Sequence, residues 1–340
     1  VISAGAAAGY FSDIADAVLQ TLIPQTISEF EKNHGSVPGG QFCTLALGKL
    51  GSRELTPSSD IDLIFIYTSE QQDIISDGKR PLPASQYFSR LGQRIINAIA
   101  SMTAEGTLYE VDMRLRPSGN KGPIATALEG FERYYKETAW TWEHMALVRA
   151  RVIFATGSIG SAVEQIVRET LISERDRTTT AGEIAKMRGR IEKQYATSCI
   201  WAIKQVSGGQ VDVDFLAQYL VLVNAREHPD ILSSDAGIVF QRAAEFGLIN
   251  ADDAIILGDA KSLYRDLQTF LALTIEGDMT DPKVDGFSEP LREDLALVSG
   301  SQDFAALSAR LIDTQTAVRE IFIRLLGDPV KSGEPESPGI

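Results

Sequence analysis

Cysteine, histidine and positive charge are the scarce resources of this 340-residue chain: it has two cysteines, three histidines and a formal net charge of -14. Cys43 and Cys199 cannot build a disulfide framework and form no CxxC pair for zinc, so both read as buried thiols of a protein in a reducing cytoplasm. The shortage of lysine and arginine argues against broad binding to nucleic-acid phosphates, which clustered cations drive, although a local basic pocket stays compatible with it. No apolar run approaches the roughly 18 to 20 residues that a bilayer crossing needs, and no basic segment followed by an apolar one opens the chain, so neither a membrane span nor a signal peptide is expected. The first residue is Val1 rather than methionine, which points to a fragment of a longer cytoplasmic protein.

The length exceeds what one compact core usually fills, and two domains are expected. Phe11, Ile14, Val18, Leu22 and Phe30 recur at near-helical spacing, with Pro24 placed to kink or split the segment. Short strands follow at 43–47 and 61–67, a helix at 83–103 with Phe88, Leu91, Ile95, Ile99 and Met102 along one side, and an alternating strand at 109–115. Beyond about Thr156 strand signals fade and long amphipathic stretches take over. Asn250 stands where an N-cap belongs, Gly247 where the preceding helix should stop, and a stripe from Phe304 to Leu325 is closed by Gly327 and Pro329. The pattern is α+β: a mixed domain at 1–155 with an N-terminal helical segment, an all-α helical bundle at 156–329, and a disordered tail at 330–340 poor in apolar residues.

Within "LGKLGSRELTPSSDIDLIFIY", Asp60 and Asp62 point to one side of a strand whose Ile61 and Leu63 face the core. Two adjacent carboxylates repel unless a cation lies between them, and magnesium suits hard oxygen ligands combined with substrate phosphates. The structural alternative is that Asp60 caps the turn of Thr56, Pro57, Ser58 and Ser59 while Asp62 is solvated. Upstream, a strand ending at Leu47 enters Gly48, Lys49, Leu50, Gly51 and Ser52 ahead of a short helical turn expected at Arg53–Leu55, and backbone N–H groups at such a start bind anions. Gly51 is expected to let a phosphate approach closely and Ser52 to offer a hydroxyl. No GKS or GKT ends the turn, so it is not a Walker motif. Asp112, in "YEVDMRLRP", is the candidate third carboxylate of a two-metal site, with Arg114 and Arg116 beside it as phosphate partners or as surface ion pairs.

These residues resemble the DNA polymerase β type nucleotidyltransferase superfamily. More narrowly, "LGKLGSRELTPSSDIDLIFIY", "YEVDMRLRPSGNKGP", "AWTWEHMALVRARVI" and "SGGQVDVDFLAQYLVL" resemble successive motifs of the bacterial glutamine synthetase adenylyltransferases, over about residues 42–222. The resemblance implies a polymerase-β-like fold, with Asp60, Asp62 and Asp112 as catalytic metal ligands for magnesium or manganese. It also implies ATP held by Gly48, Lys49, Gly51, Ser52, Arg114 and Arg116. Glutamine synthetase would be the protein substrate, and the PII signalling protein and glutamine the regulators of the longer enzyme. That family has an AMP-attaching and an AMP-removing half, and "KETAWTWEH" resembles the attaching, C-terminal one. The removing half, a regulatory module without catalysis, and nucleotidyl transfer to RNA or a small molecule are the alternatives.

Two of these motifs have plainer readings. Asp212 and Asp214 sit at a helix start, where a cap is as compatible as a catalytic role, and Asp214 replaces a glutamate common in the family. In "TWEHMALVRAR", Trp142 is expected to pack and His144 to be structural, while Glu143, Arg149 and Arg151 either line a nucleotide cleft or form helix-surface pairs.

Overall fold

Helix α1 (Ala4–His34) continues through Pro24 instead of breaking there. The proline forfeits one backbone bond, but Leu19, Ile23 and Phe30 are buried on both sides of it, so core packing holds the two segments in line. The computed structural model describes residues 4–71 and 74–329, and the tail expected at 330–340 lies outside them.

The chain divides by packing into two compact units, Ala7–Leu171 and Ile172–Ile340, the latter together with Val1–Ala6. In the first unit β1 (Gln41–Ala46), α2 (Gly48–Gly51), β2 (Ile61–Thr68), α3 (Ala84–Ala100), β3 (Val111–Asp112) and β4 (Ala125–Ala127) follow α1. Helices α4 (Leu128–Glu137) and α5 (Thr141–Leu147), strand β5 (Arg151–Ala155) and helix α6 (Ile159–Leu171) complete it. The sheet runs β3-β2-β1-β5, with β4 also on β2. Strand β1 is antiparallel to both β2 and β5, whereas β3 and β4 are parallel to β2, which gives the mixed sheet expected. The division falls after residue 171, not at the expected 155, because α6 buries Ile159, Val163 and Val167 and packs on β5 and β1.

β2 is buried along almost its whole length, and its side chains meet Phe42 of β1 and Phe88, Leu91 and Ile95 of α3 in one core. Helix α3 stops before Ser101, so Met102 leaves the expected stripe and is exposed. Cys43, buried in this core, has its thiol pushed up to about 12 by burial and by the charge of Glu164. Almost no thiolate forms at pH 8, so iodoacetamide is expected to leave Cys43 unlabelled in the native protein and to modify it after denaturation; peptide mapping reads the difference.

In the second unit α7 (Arg177–Tyr195), α8 (Gln210–Asn224), α9 (Ala236–Glu245), α10 (Ala251–Thr274), α11 (Asp281–Asp285), α12 (Glu289–Ser299) and α13 (Phe304–Leu326) pack without strands among the described residues. Asn250 caps α10 by accepting the Asp253 N–H at 2.6 Å, and Gly327 ends α13 at φ +94°, both where expected. Asp212, at the third position of α8, is fully buried. It accepts the Gly208 N–H at 2.7 Å, pairs with Arg188, and lies 3.3 Å from Arg319 of α13. Tyr264 of α10 closes the cluster by donating to the Gly208 carbonyl at 2.7 Å. Burial on this scale removes Asp212 from contact with solvent-borne reactants and makes it a packing group.

Candidate active site

The two residues of β3 lie abreast of the start of β2: Ile61 pairs with Val111 and Asp62 with Asp112. Parallel pairing carries both chains in one direction, so the two carboxylates emerge at the same end of the sheet, with exposed Asp60 two residues before Asp62. The strand expected at 109–115 shortens to Val111–Asp112 because the chain turns at once. The Asp112 carboxylate accepts the Arg114 N–H at 2.8 Å, and the Arg116 N–H bonds back to the Met113 carbonyl.

Arg114 also grips Asp112 with its guanidinium, Nε to Oδ2 at 2.8 Å, while remaining 72% exposed itself. Burial raises the Asp112 carboxyl, but the hydrogen bonds and charge of Arg114, with the charge of Arg116, outweigh it and leave the group below the usual carboxylate range. Hydrogen bonding to Asp112 in turn raises Arg114, and the charges of Asp60 and Asp62 add to the rise. The guanidinium thus pairs with Asp112 and lies in the field of Asp60 and Asp62 in this conformation. Arg116 is different: it is 8% exposed, and its guanidinium donates to the Met113 carbonyl at 2.6 Å and the Gly122 carbonyl at 3.3 Å. It holds the 113–122 loop and is not presented to a phosphate.

Three carboxylates at one sheet end fit a divalent cation in donor type and register. Among the described residues no three histidine, cysteine or acidic side chains form a ready metal-holding cluster, and Arg114 engages Asp112.

The glycine segment differs from expectation. The helical turn is α2 itself, Gly48–Gly51, closed by Gly51 N–H to the Leu47 carbonyl at 2.9 Å and Ser52 N–H to the Gly48 carbonyl at 3.1 Å; Arg53–Leu55 is not helical. Leu47 donates to the Asp62 carbonyl at 3.0 Å, and Gly48 has φ +54° with its Cα against the Asp62 carboxylate, where a Cβ would come within 2.0 Å of Oδ2. The turn and the aspartate strand are therefore in contact. A Cβ on Gly51 would lie 1.7 Å from the Arg149 carbonyl oxygen, so this glycine serves close packing against its own chain, where approach of a phosphate was expected. Gly51→Ala is expected to cost about 1–3 kcal/mol of stability, read as a lowered unfolding midpoint. The Ser52 hydroxyl, 9% exposed, faces the Gly48 carbonyl at 3.2 Å and Glu54 at 3.0 Å. Lys49 is half-buried on the same turn.

In the "TWEH" segment Glu143, 2% exposed, accepts the Tyr134 hydroxyl at 2.6 Å and the Trp140 N–H at 2.9 Å, joining α4 to the start of α5. Burial and this hydrogen bond push the Tyr134 phenol up to about 12. Trp142, expected to pack, is 39% exposed, and Trp140 is 70% exposed. The His144 ring lies 3.0 Å from the Tyr135 carbonyl, a structural contact as expected. The reading from sequence missed Ser12, Asp13 and Asp16 of α1, which reach the loop after α2; their only signal was polarity on a helix side otherwise bound for the core.

Strand order, the aspartates at the end of a parallel pair and the helices that follow define an α+β protein with an acidic site at one end of its mixed sheet. A family model described as glutamate-ammonia ligase adenylyltransferase matches residues 3–166. Bifunctional glutamine synthetase adenylyltransferase/adenylyl-removing enzymes are similar over nearly the whole chain. That of Rhodopseudomonas palustris is 42% identical over 94% of this chain and 32% of its own length. That of Xanthobacter autotrophicus is 42% identical over 96% and 33%, and that of Bradyrhizobium diazoefficiens 40% over 96% and 32%. Over residues 3–166 the chain is similar to the glutamate-ammonia ligase adenylyltransferase family, and it spans about a third of the length of the curated relatives it matches. No helix among the described residues is long and apolar enough to cross a membrane.

Proposed function

We propose that this chain transfers AMP from ATP to a tyrosine hydroxyl of glutamine synthetase, in the cytoplasm, and so lowers nitrogen assimilation. The observation that carries the reading is the pairing of Asp62 with Asp112 at the sheet end, beside the Gly48–Gly51 turn. The phenolic oxygen forms a bond to the α-phosphorus, the α–β phosphoanhydride bond breaks, and pyrophosphate leaves. A magnesium or manganese ion held by Asp60, Asp62 and Asp112 would offset phosphate charge and ease loss of the phenolic proton. The Gly48–Ser52 turn, with Lys49, orients the triphosphate, and Arg114, released from Asp112, is the exposed cation able to meet charge developing on the phosphates. "KETAWTWEH" supports the attaching direction. Responses to PII and glutamine belong, on this reading, to the longer protein.

The test mixes the purified chain, or an Asp60→Asn variant, with unmodified glutamine synthetase, magnesium and ATP, and reads the target by intact mass and peptide mapping. A tyrosine-AMP adduct made by the parent chain alone is the expected result. Phosphate-dependent loss of AMP from pre-modified target, with no adduct formed, would assign the removing direction instead.

A further inference from the structure

Behind the glycine turn lies a set of ion pairs that the proposed chemistry does not use. Asp16 of α1, 9% exposed, receives a two-pronged grip from Arg151: Nη1 to Oδ2 at 2.8 Å and Nη2 to Oδ1 at 2.9 Å. The same guanidinium reaches forward to the α2 turn, Nη2 to the Leu50 carbonyl at 2.9 Å and Nε to the Gly51 carbonyl at 3.3 Å. Arg53, held at φ +60°, lies 3.3 Å from Asp16 and also pairs with Asp13. Ser12, fully buried, accepts the Leu55 N–H at 3.3 Å. Arg151 stands abreast of Ala46, at the end of β1 that leads into the turn, and the Arg149 carbonyl presses on Gly51.

Each contact has a plain consequence. A four-residue helix cannot hold itself, because nucleating one turn fixes several residues for a single hydrogen bond. Within the turn the Leu50 carbonyl accepts the Arg53 N–H at 3.2 Å, and a planar guanidinium adds a second donor to it while serving the Gly51 carbonyl and a carboxylate together, which an ammonium cannot. Partial burial restricts the arrangement to one geometry. The positive φ at Arg53, costly for a residue with a Cβ, persists because Asp13 and Asp16 hold its side chain.

We infer that Asp16 and Arg151 form a clamp that positions the Gly48–Ser52 turn for nucleotide binding, with Arg53 as its second arm. The inference rests on the proposed reading of that turn as the triphosphate cradle. Neither residue touches the reacting atoms; both act through the turn, so the clamp governs ATP binding more than the chemical step.

The experiment uses the whole chain with Asp16→Asn, Asp16→Glu, Arg151→Lys and Arg151→Gln. Transfer kinetics at varied ATP are combined with amide hydrogen exchange of peptides covering 47–55 and with unfolding midpoints. The expected result for Asp16→Asn and Arg151→Gln is a KM for ATP raised about tenfold with kcat within about twofold, and faster exchange confined to 47–55. Arg151→Lys, which keeps the charge but not the fork, is expected to share the KM rise, and Asp16→Glu to restore most of the binding. Parent-like KM and exchange in all variants would overturn the clamp. So would equal loss of kcat, KM and midpoint with exchange rising throughout the unit, the mark of a merely structural role. If the parent chain does not use ATP at all, the functional reading fails by itself, and the exchange pattern still decides whether the clamp holds the turn.

Discussion

Asp62→Asn is expected to cut AMP transfer by about a thousandfold, with the unfolding midpoint little changed. Asparagine keeps the shape that packs against Gly48 and retains an oxygen, so the turn has no steric reason to move. What disappears is the full negative charge opposite Asp112. A neutral amide binds a divalent cation weakly, and losing one preorganised electrostatic contribution to a phosphoryl-type transition state typically costs 10²–10³ in kcat. On the proposed reading the loss should fall on kcat more than on the KM for the protein substrate, because Asp62 would act on the phosphates and not on the acceptor's binding. Single-turnover transfer followed by mass spectrometry, with a thermal melt as control, reads both parts. Activity within tenfold of the parent would remove Asp62 from the reaction and with it the aspartate trio as the catalytic set.

The sheet end was legible in the sequence because strand alternation is a short-range rule. Asp60 and Asp62 two residues apart, flanked by Ile61 and Leu63, imply one polar side without any knowledge of the rest of the chain. Asn250 and Gly327 were equally legible, since capping is decided within a few residues. What sequence alone did not yield depends on contacts across long separations. Gly51 reads as an opening for phosphate until Arg149, almost a hundred residues later, is found against it. Arg116 and Arg114 share one motif, yet one is buried in its own loop and the other exposed on Asp112, a difference set by the turn that ends β3. The helix through Pro24 belongs to the same class, because burial on either side outweighs a local propensity. The clamp residues of α1 lie outside every motif and become visible only when Asp16 meets Arg151, 135 residues away.

Asp212→Ala is expected to unfold the helical unit selectively, at a cost of about 3–5 kcal/mol. The aspartate and Arg188 are both fully buried, and the Arg188 Nη1 already lacks a hydrogen-bond partner. Nη2 donates to the Gln205 and Val206 carbonyls at 3.0 Å, so the arginine cannot swing out to water without releasing that loop. Removing the carboxylate therefore leaves the buried guanidinium with Glu192, at 3.5 Å and partly exposed, as its remaining acidic partner, and the Gly208 N–H loses its acceptor in the same step. Gly208 cannot adapt: its φ is +74°, and its backbone lies against the Gln315 carbonyl. Asp212→Asn keeps an acceptor for Gly208 and should cost less, which separates the hydrogen-bond contribution from that of the charge. Hydrogen exchange resolved by peptide is the suitable measurement, because a chain of two compact units need not unfold in one transition. Protection lost across α7, α8 and α13 but kept in β1 and β2 would identify Asp212 as the tie of the helical unit. Parent-like protection there would mean that the buried pair contributes nothing net, and the motif "SGGQVDVDF" would need a role other than packing.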